Sequence, residues 1–275
     1  MALGIIFFLA FLAYASALGD GVNLQPSYYN NGDVTFGWDL MKKYPDITTV
    51  RIEIEPDKAS QAWNWINQAS INGYHVIATY HKCSVLGTDN VDELQKAAQW
   101  WVQHYDYLSS AGSFTLNLMN EWGSHHQTPD KFANAYNSAI ATVRKVYSGS
   151  VIVDIPGWGQ ETQTAANASP KIKDDHVIFS AHVYPHGWNE AAGHNMNADD
   201  MNVLAKSGRT CIVGEFGYHD GEGPVNVKAV VQRAKSLGFK VLAWAWNGDG
   251  NSYNMVQPTW LIDPKASSYS EHLAH

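Results

Sequence analysis

The feature that most constrains this chain is a unit that recurs eight times: a short apolar or β-branched run, a loop with polar or aromatic residues, then an amphipathic stretch of helical period. The runs predict strands at Gly21 to Leu24, Thr49 to Ile54, His75 to Thr79, Phe114 to Met119, Val151 to Ile155, Val177 to Val183, Cys211 to Phe216 and Lys240 to Trp246. Helical patterns fill the intervals, among them Ala59 to Ile71, Val91 to Leu108, Pro129 to Tyr147 and Val225 to Leu237. Gly73, Gly112, Gly149, Gly208 and Gly238 stand where such helices stop. Near-continuous apolar strands are buried on both faces, and strict β-then-α alternation calls for parallel pairing. Eight such units in one domain predict an α/β fold of the closed (β/α)8 barrel type. An open doubly wound sheet would carry a glycine-rich phosphate turn after its first strand, and Asn23-Leu-Gln-Pro-Ser-Tyr-Tyr29 offers none. The last unit is reduced, since only Ala266 to His275 could supply an eighth helix.

The length of 275 residues suits one domain of this kind. Residues 1–17 carry no charge and end in Ala15-Ser-Ala17, a short apolar run with a cleavage pattern. A signal peptide is expected there, with a single domain over 18–275 and a secreted, extracellular protein. No second apolar run reaches membrane-spanning length, so no membrane partner is expected. The 18 basic against 26 acidic residues give a net charge of −8 without a basic run, which removes the electrostatic footprint of a nucleic-acid binder. Eleven Trp and 14 Tyr suit neutral, amphipathic ligands such as sugars. A monomer is expected. Of the two cysteines, Cys83 follows the third strand at the barrel mouth and Cys211 begins the seventh at its floor. A strand's rise separates them by about 15–20 Å, too far for a disulfide.

In a barrel, chemistry is assembled where the strands end. Here those ends carry Arg51 and Glu53, Tyr80-His81, Asn120-Glu121-Trp122, Pro156-Gly-Trp158-Gly-Gln160, His182-Val-Tyr184, Gly214-Glu215 and Trp244-Ala-Trp246. Glu121 and Glu215 come from opposite sides of the mouth and could flank a scissile glycosidic bond, one giving a proton and the other attacking the anomeric carbon. Arg51 and the Tyr184 hydroxyl are expected to hold Glu215 ionised, and that fixed charge to raise the carboxyl of Glu121. Glu215 is then the nucleophile and Glu121 the acid/base.

These residues resemble glycoside hydrolase family 5, in the retaining (β/α)8 clan, over nearly the whole chain beyond residue 17. The family's ordered pattern is matched by Arg51, His81, Asn120-Glu121, His182-Val-Tyr184, Glu215 and Trp246. The resemblance implies that Asn120 bonds the sugar 2-hydroxyl, His182 supports the acid/base, and Trp246 floors the subsite holding the bond to be cut. Asn120-Glu-Trp122, Gly157-Trp158-Gly-Gln160 and Ile212-Val-Gly-Glu-Phe-Gly-Tyr218 look like its endo-β-1,4-mannanases, and place Trp122 and Trp158 among the substrate contacts. The implied activity is hydrolysis of β-1,4-mannosidic links in mannan polysaccharide or oligosaccharide, without a cofactor. An endo-β-1,4-glucanase is the near alternative.

Two further classes are a sugar-binding barrel without activity, disfavoured by the two supported carboxylates, and a metal-dependent hydrolase. His182 and His186 imitate a zinc pair, but their spacing crosses a strand end and Pro185 rather than a helix, so no metal site is expected. His125-His126 reads as solvated loop, with a substrate contact just beyond Glu121 as the alternative, and Trp63, Trp65, Trp100 and Trp101 as packing around the barrel. Glu53, on the same side of its strand as Arg51, is either a third active-site carboxylate or an ion-pair partner.

Overall fold

The computed structural model describes residues 18–28, 30–33, 35–248, 253–256 and 262. Its strands are β1 (Gly21–Leu24), β2 (Thr49–Ile54), β3 (His75–Tyr80), β4 (Thr115–Asn117), β5 (Val151–Asp154), β6 (Val177–Val183), β7 (Trp188–Asn189), β8 (His194–Asn195), β9 (Thr210–Phe216) and β10 (Lys240–Asn247). Eight of them close a parallel barrel in the order β1-β10-β9-β6-β5-β4-β3-β2, as the alternation requires. The other two, β7 and β8, form a small antiparallel hairpin after β6 that the sequence pattern does not announce. Two-residue strands are too short to carry a period.

The helix Ala59–Ile71 has the bounds its periodicity predicts, and Val91–Ser109 runs one residue beyond its own. The helix expected to reach Tyr147 stops at Val143. Tyr147 is instead buried with its hydroxyl among the carbonyls of Phe114 and Ser150. The fourth strand is also shorter than its apolar run. Beyond Asn117 the chain bends away, its Asn120 N–H donating to Tyr80 O, so that Glu121 takes a left-handed conformation with φ 49°. The expected leader and last helix lie outside the described residues.

Alternation along the strands sorts the side chains. Outward-facing residues such as Val22, Val50, Val76, Leu116, Val153, Phe179 and Val213 join one large core beneath the helices. Inward-facing residues begin at the floor with an apolar plug of Leu18, Ile77, Ile152, Ile178, Ile212 and Leu242. One inward step further up, β3, β5 and β6 carry Thr79, Asp154 and Ser180, and β1, β2 and β4 add Asn23, Arg51 and Asn117, every one fully buried. Cys83 is exposed, Cys211 is buried, and both are free, as their opposite ends of the barrel require.

Candidate active site

Arg51 organises the mouth. It is fully buried, and its Nη1 donates to Glu53 Oε1 at 2.5 Å, Glu215 Oε1 at 2.8 Å and Asn23 Oδ1 at 2.9 Å. Nη2 donates to Asn120 Oδ1 at 2.5 Å, and Nε to Asn117 Oδ1 at 3.1 Å. Burial opposes the guanidinium charge, but Glu53, Glu215 and Asp154 outweigh it and hold Arg51 firmly protonated. Glu53 is thereby an ion-pair partner rather than a free third carboxylate: its other oxygen lies 2.8 Å from His81 Nε2. His81 also touches Glu55 at 3.4 Å and the hydroxyl of Tyr28. Burial disfavours its charge, yet Glu53 dominates and the imidazole is raised to about 10.

The two carboxylates expected to act converge. Glu215 accepts from Arg51 at one oxygen and from the Tyr184 hydroxyl, 2.7 Å away, at the other. Glu121 Oε1 lies 2.8 Å from His182 Nδ1, and one ligand atom each from Glu121, His182 and Glu215 fall within 4.8 Å of one another. Two carboxylates and an imidazole are a donor set that could receive a cation. Here, however, each oxygen of Glu215 already accepts one donor, from Arg51 and from Tyr184, and the fixed positive charge of Arg51 2.8 Å away opposes a cation beside it. His186 is not part of the group.

The electrostatics differ from the expectation in one respect. Burial pushes the Glu215 carboxyl up to about 7; His182 and Arg51 pull it back, while Glu121 and Glu53 push the same way as burial. Arg51 alone does not hold Glu215 low because it divides its charge among Glu53, Glu215 and Asp154, the last at 3.5 Å. His182 is fully buried, and the surrounding carboxylates Glu215 and Asp154 overcome that burial and raise it well above the ordinary imidazole range.

The aromatic expectations divide. Trp158 is 36% exposed, in a left-handed conformation with φ 55°, packed over Gly87 and against the His125 ring. The next residue must be glycine: Gly159 has φ 79°, and a Cβ there would lie 2.6 Å from the Cβ of His182. Trp122 does not reach the mouth. It is fully buried, donates its indole N–H to Asn90 O, and packs on Phe132 and Tyr136. Left-handed Glu121 turns the chain so that its neighbour points outward into the helix layer. Trp246 is likewise fully buried, its N–H on Phe36 O, and lines no subsite. The partly exposed indole of β10 is Trp244, which follows Leu242 of the interior plug on the inward face. Beyond Ala243 the register slips, with Val22 opposite Ala243 but Leu24 opposite Asn247, and Trp246 falls into the outer core. Both tryptophans sit on one strand two residues apart, so only the slip distinguishes them.

Two buried carboxylates here escape sequence reasoning. Asp154 ends β5 in an apolar run that reads as packing alone. Glu161 is fully buried and joins three loops, facing His125 Nδ1 at 2.7 Å and accepting from the backbone N–H groups of Glu190 and Ala191 at 2.6 and 3.1 Å. Its pairing with His125 corrects the reading of that residue as solvated loop; His126, facing Glu190 at 3.5 Å, stays exposed.

A closed parallel barrel with two carboxylates, an arginine and an imidazole gathered at its C-terminal mouth defines the class of (β/α)8 barrel enzymes. Residues 34–250 match the cellulase family, glycosyl hydrolase family 5, and the chain belongs to that family. It is 27% identical over 217 residues to a mannan endo-1,4-beta-mannosidase of Streptomyces lividans, and 26% over 193 residues to one of Salipaludibacillus agaradhaerens. The matches cover 76% and 66% of this chain but only 55% and 59% of those relatives, so it spans little more than half their length. A third relative is the beta-mannanase/endoglucanase A of Caldicellulosiruptor saccharolyticus, 25% identical over 220 residues, 75% of this chain and 16% of that protein. Among solved structures, a beta-mannanase from Thermomonospora fusca superimposes with a TM-score of 0.72 at 20% identity, over 90% of this chain and 86% of that one. An endoglucanase catalytic domain from Thermobifida fusca gives 0.70 at 15%, over 88% and 83%. Such likenesses establish the fold.

Proposed function

We propose that this chain is a secreted, retaining endo-β-1,4-mannanase. The observation that carries the reading is that one ligand atom each of Glu121, His182 and Glu215 lies within 4.8 Å of the others, with both oxygens of Glu215 accepting from donors. Retaining glycosidases need their carboxyl groups only about 5–5.5 Å apart, too close for a water between base and sugar. Glu215, aimed by Arg51 and Tyr184, attacks the anomeric carbon while Glu121 gives its proton to the departing oxygen. A covalent glycosyl-enzyme forms, Glu121 then takes a proton from water, and that water displaces Glu215 from the opposite face, the one the departing oxygen vacated. Asn120, its carbonyl fixed on Arg51, presents its amide to the 2-hydroxyl, the group that distinguishes mannose from glucose. The half-buried indole of Trp244 flanks the sugar at the cleavage point in place of Trp246.

Mannan as substrate is supported by the two mannosidase relatives; the endoglucanase likeness and the relative named for both activities keep β-1,4-glucan as the second reading. Proton NMR of early products from mannohexaose tests both parts. β anomers are expected first. α anomers would overturn the mechanism, and faster cleavage of cellohexaose would overturn the substrate alone.

A further inference from the structure

We propose that Asp154 is a positioning residue for the proton donor: a single oxygen of this buried carboxylate holds the left-handed backbone of Glu121 and, from the opposite side, faces at ion-pair distance the imidazole that touches the Glu121 carboxyl. Asp154 Oδ2 accepts the Glu121 backbone N–H at 3.0 Å. The same oxygen lies 3.6 Å from His182 Nε2, while His182 Nδ1 is 2.8 Å from Glu121 Oε1. Main chain and side chain of Glu121 therefore end, by two routes, on one atom.

The grip meets a need the sequence creates. A glutamate at φ 49° is held where an L side chain is disfavoured, and such a conformation persists only where its surroundings over-determine it. The Glu121 carbonyl is tied by the Gly87 N–H at 2.8 Å, and its amide by Asp154. Asp154 is itself immobilised: Asn117 Nδ2 donates to Oδ1 at 3.2 Å, Arg51 Nη2 stands 3.5 Å from Oδ2, and the side chain is fully buried. The imidazole is confined as well. His182 Nε2 is buried and makes no hydrogen bond, so Asp154 is what faces it. Gly214 passes beside it, where a Cβ would lie 2.2 Å from Ser180 Oγ and 3.3 Å from His182 Nε2. Asp154 touches none of the reacting atoms; it acts through Glu121 and His182.

The inference rests on the reading of Glu121 as proton donor, and the experiment separates the two. D154N keeps the volume of the side chain but replaces one acceptor oxygen by an NH2 group, which must face either the Glu121 N–H with Arg51 and His182 or, turned over, the Asn117 amide. N117S, a second variant, frees the other oxygen of the same carboxylate. Both are assayed beside wild type on mannohexaose and on a dinitrophenyl β-mannobioside, whose leaving group departs without a proton. D154N is expected to lower kcat on mannohexaose about 10- to 100-fold with KM within about twofold. Its loss of kcat/KM on the dinitrophenyl substrate is smaller by about tenfold, and N117S shows the same split at reduced size. Each ratio comes from one preparation, so a partly unfolded sample does not imitate it. In an E121Q background D154N adds no more than about a twofold further loss on mannohexaose, because the group it positions is gone. Equal losses on both substrates in both variants, or a D154N loss that multiplies with E121Q, would overturn the proposal. Wild-type inactivity on manno- and cello-oligosaccharides alike would overturn the reading first and the proposal with it.

Discussion

Two layers of one barrel interior, a single inward step apart, differ in everything but their strands. Ile77, Ile152, Ile178 and Ile212 plug the floor; Thr79, Asp154, Ser180 and Gly214 follow them on β3, β5, β6 and β9, two residues and roughly 6–7 Å higher. The floor gains from simple removal of methyl groups from water. The layer above buries charge and must answer it group by group, with Arg51 spread over Glu53, Asp154 and Glu215 and with His81 wedged against Glu53. Strand geometry treats both alike. The fold is therefore carried by one layer and the chemistry by the other, and each should fail in its own way when altered.

The largest effect is expected in the upper layer. Glu215→Ala should lower kcat on mannan by roughly 10⁴-fold or more while mannohexaose still binds, because the attacking atom disappears and the rest of the cleft remains. Isothermal titration beside reducing-sugar assays checks this, and appreciable residual turnover would break the division of labour. Next, Glu121→Ala should cost about 10²- to 10⁴-fold on substrates with poor leaving groups. It should cost far less on activated aryl glycosides in kcat/KM; equal losses would remove Glu121 from proton donation.

In the floor the expected loss is of stability. Ile152→Ala removes a fully buried side chain from the plug and should cost about 2–5 kcal/mol in denaturant unfolding, with kcat nearly unchanged while the protein is folded. A large fall in kcat without a fall in stability would show that the layers are not separable.

The smallest effect sharpens the comparison through pH. His81 is raised from the ordinary imidazole value to about 10, so the stability it contributes is fully present below about 6.5 and is lost as pH rises toward about 10. Glu215, raised to about 7, is also easier to fold protonated, and its contribution fades as pH rises from the ordinary carboxyl range through 7. Asp154, where burial is overcome chiefly by His182, is held down to about 2 and acts oppositely, losing its contribution only in strong acid. Unfolding free energies at pH 6 and 9.5 should fall for wild type and fall less for His81→Asn, whereas Ile152→Ala should run parallel to wild type. A His81→Asn slope equal to that of wild type would remove His81 from this role.

The helix Ala59–Ile71 and strand β2 were legible to the residue, since their periods are long and unbroken. The carboxylates Glu121 and Glu215 were legible because polar residues at the ends of apolar strands stand out against their surroundings. Trp122 and Trp246 were misplaced for the opposite reason. An indole is equally at home in a core or under a sugar, and its address turned on the left-handed bend at Glu121 and the register slip after Ala243. Asp154 and Glu161 gave no signal, because an isolated acidic residue in a short apolar or loop segment means nothing until its partners are known.

By itself the sequence determined the alternation, hence the barrel, hence the face on which Arg51, Glu121, His182 and Glu215 would meet. These follow from period and order, which are local properties. Only the tertiary structure decided which residues on that face share a charge. It set Arg51 among three carboxylates, lifted Glu215 to about 7 against the expectation of a firmly ionised group, and put Asp154 at once behind Glu121 and His182. Burial and distance between residues far apart in the chain govern those energies, and neither is written in any local stretch of sequence.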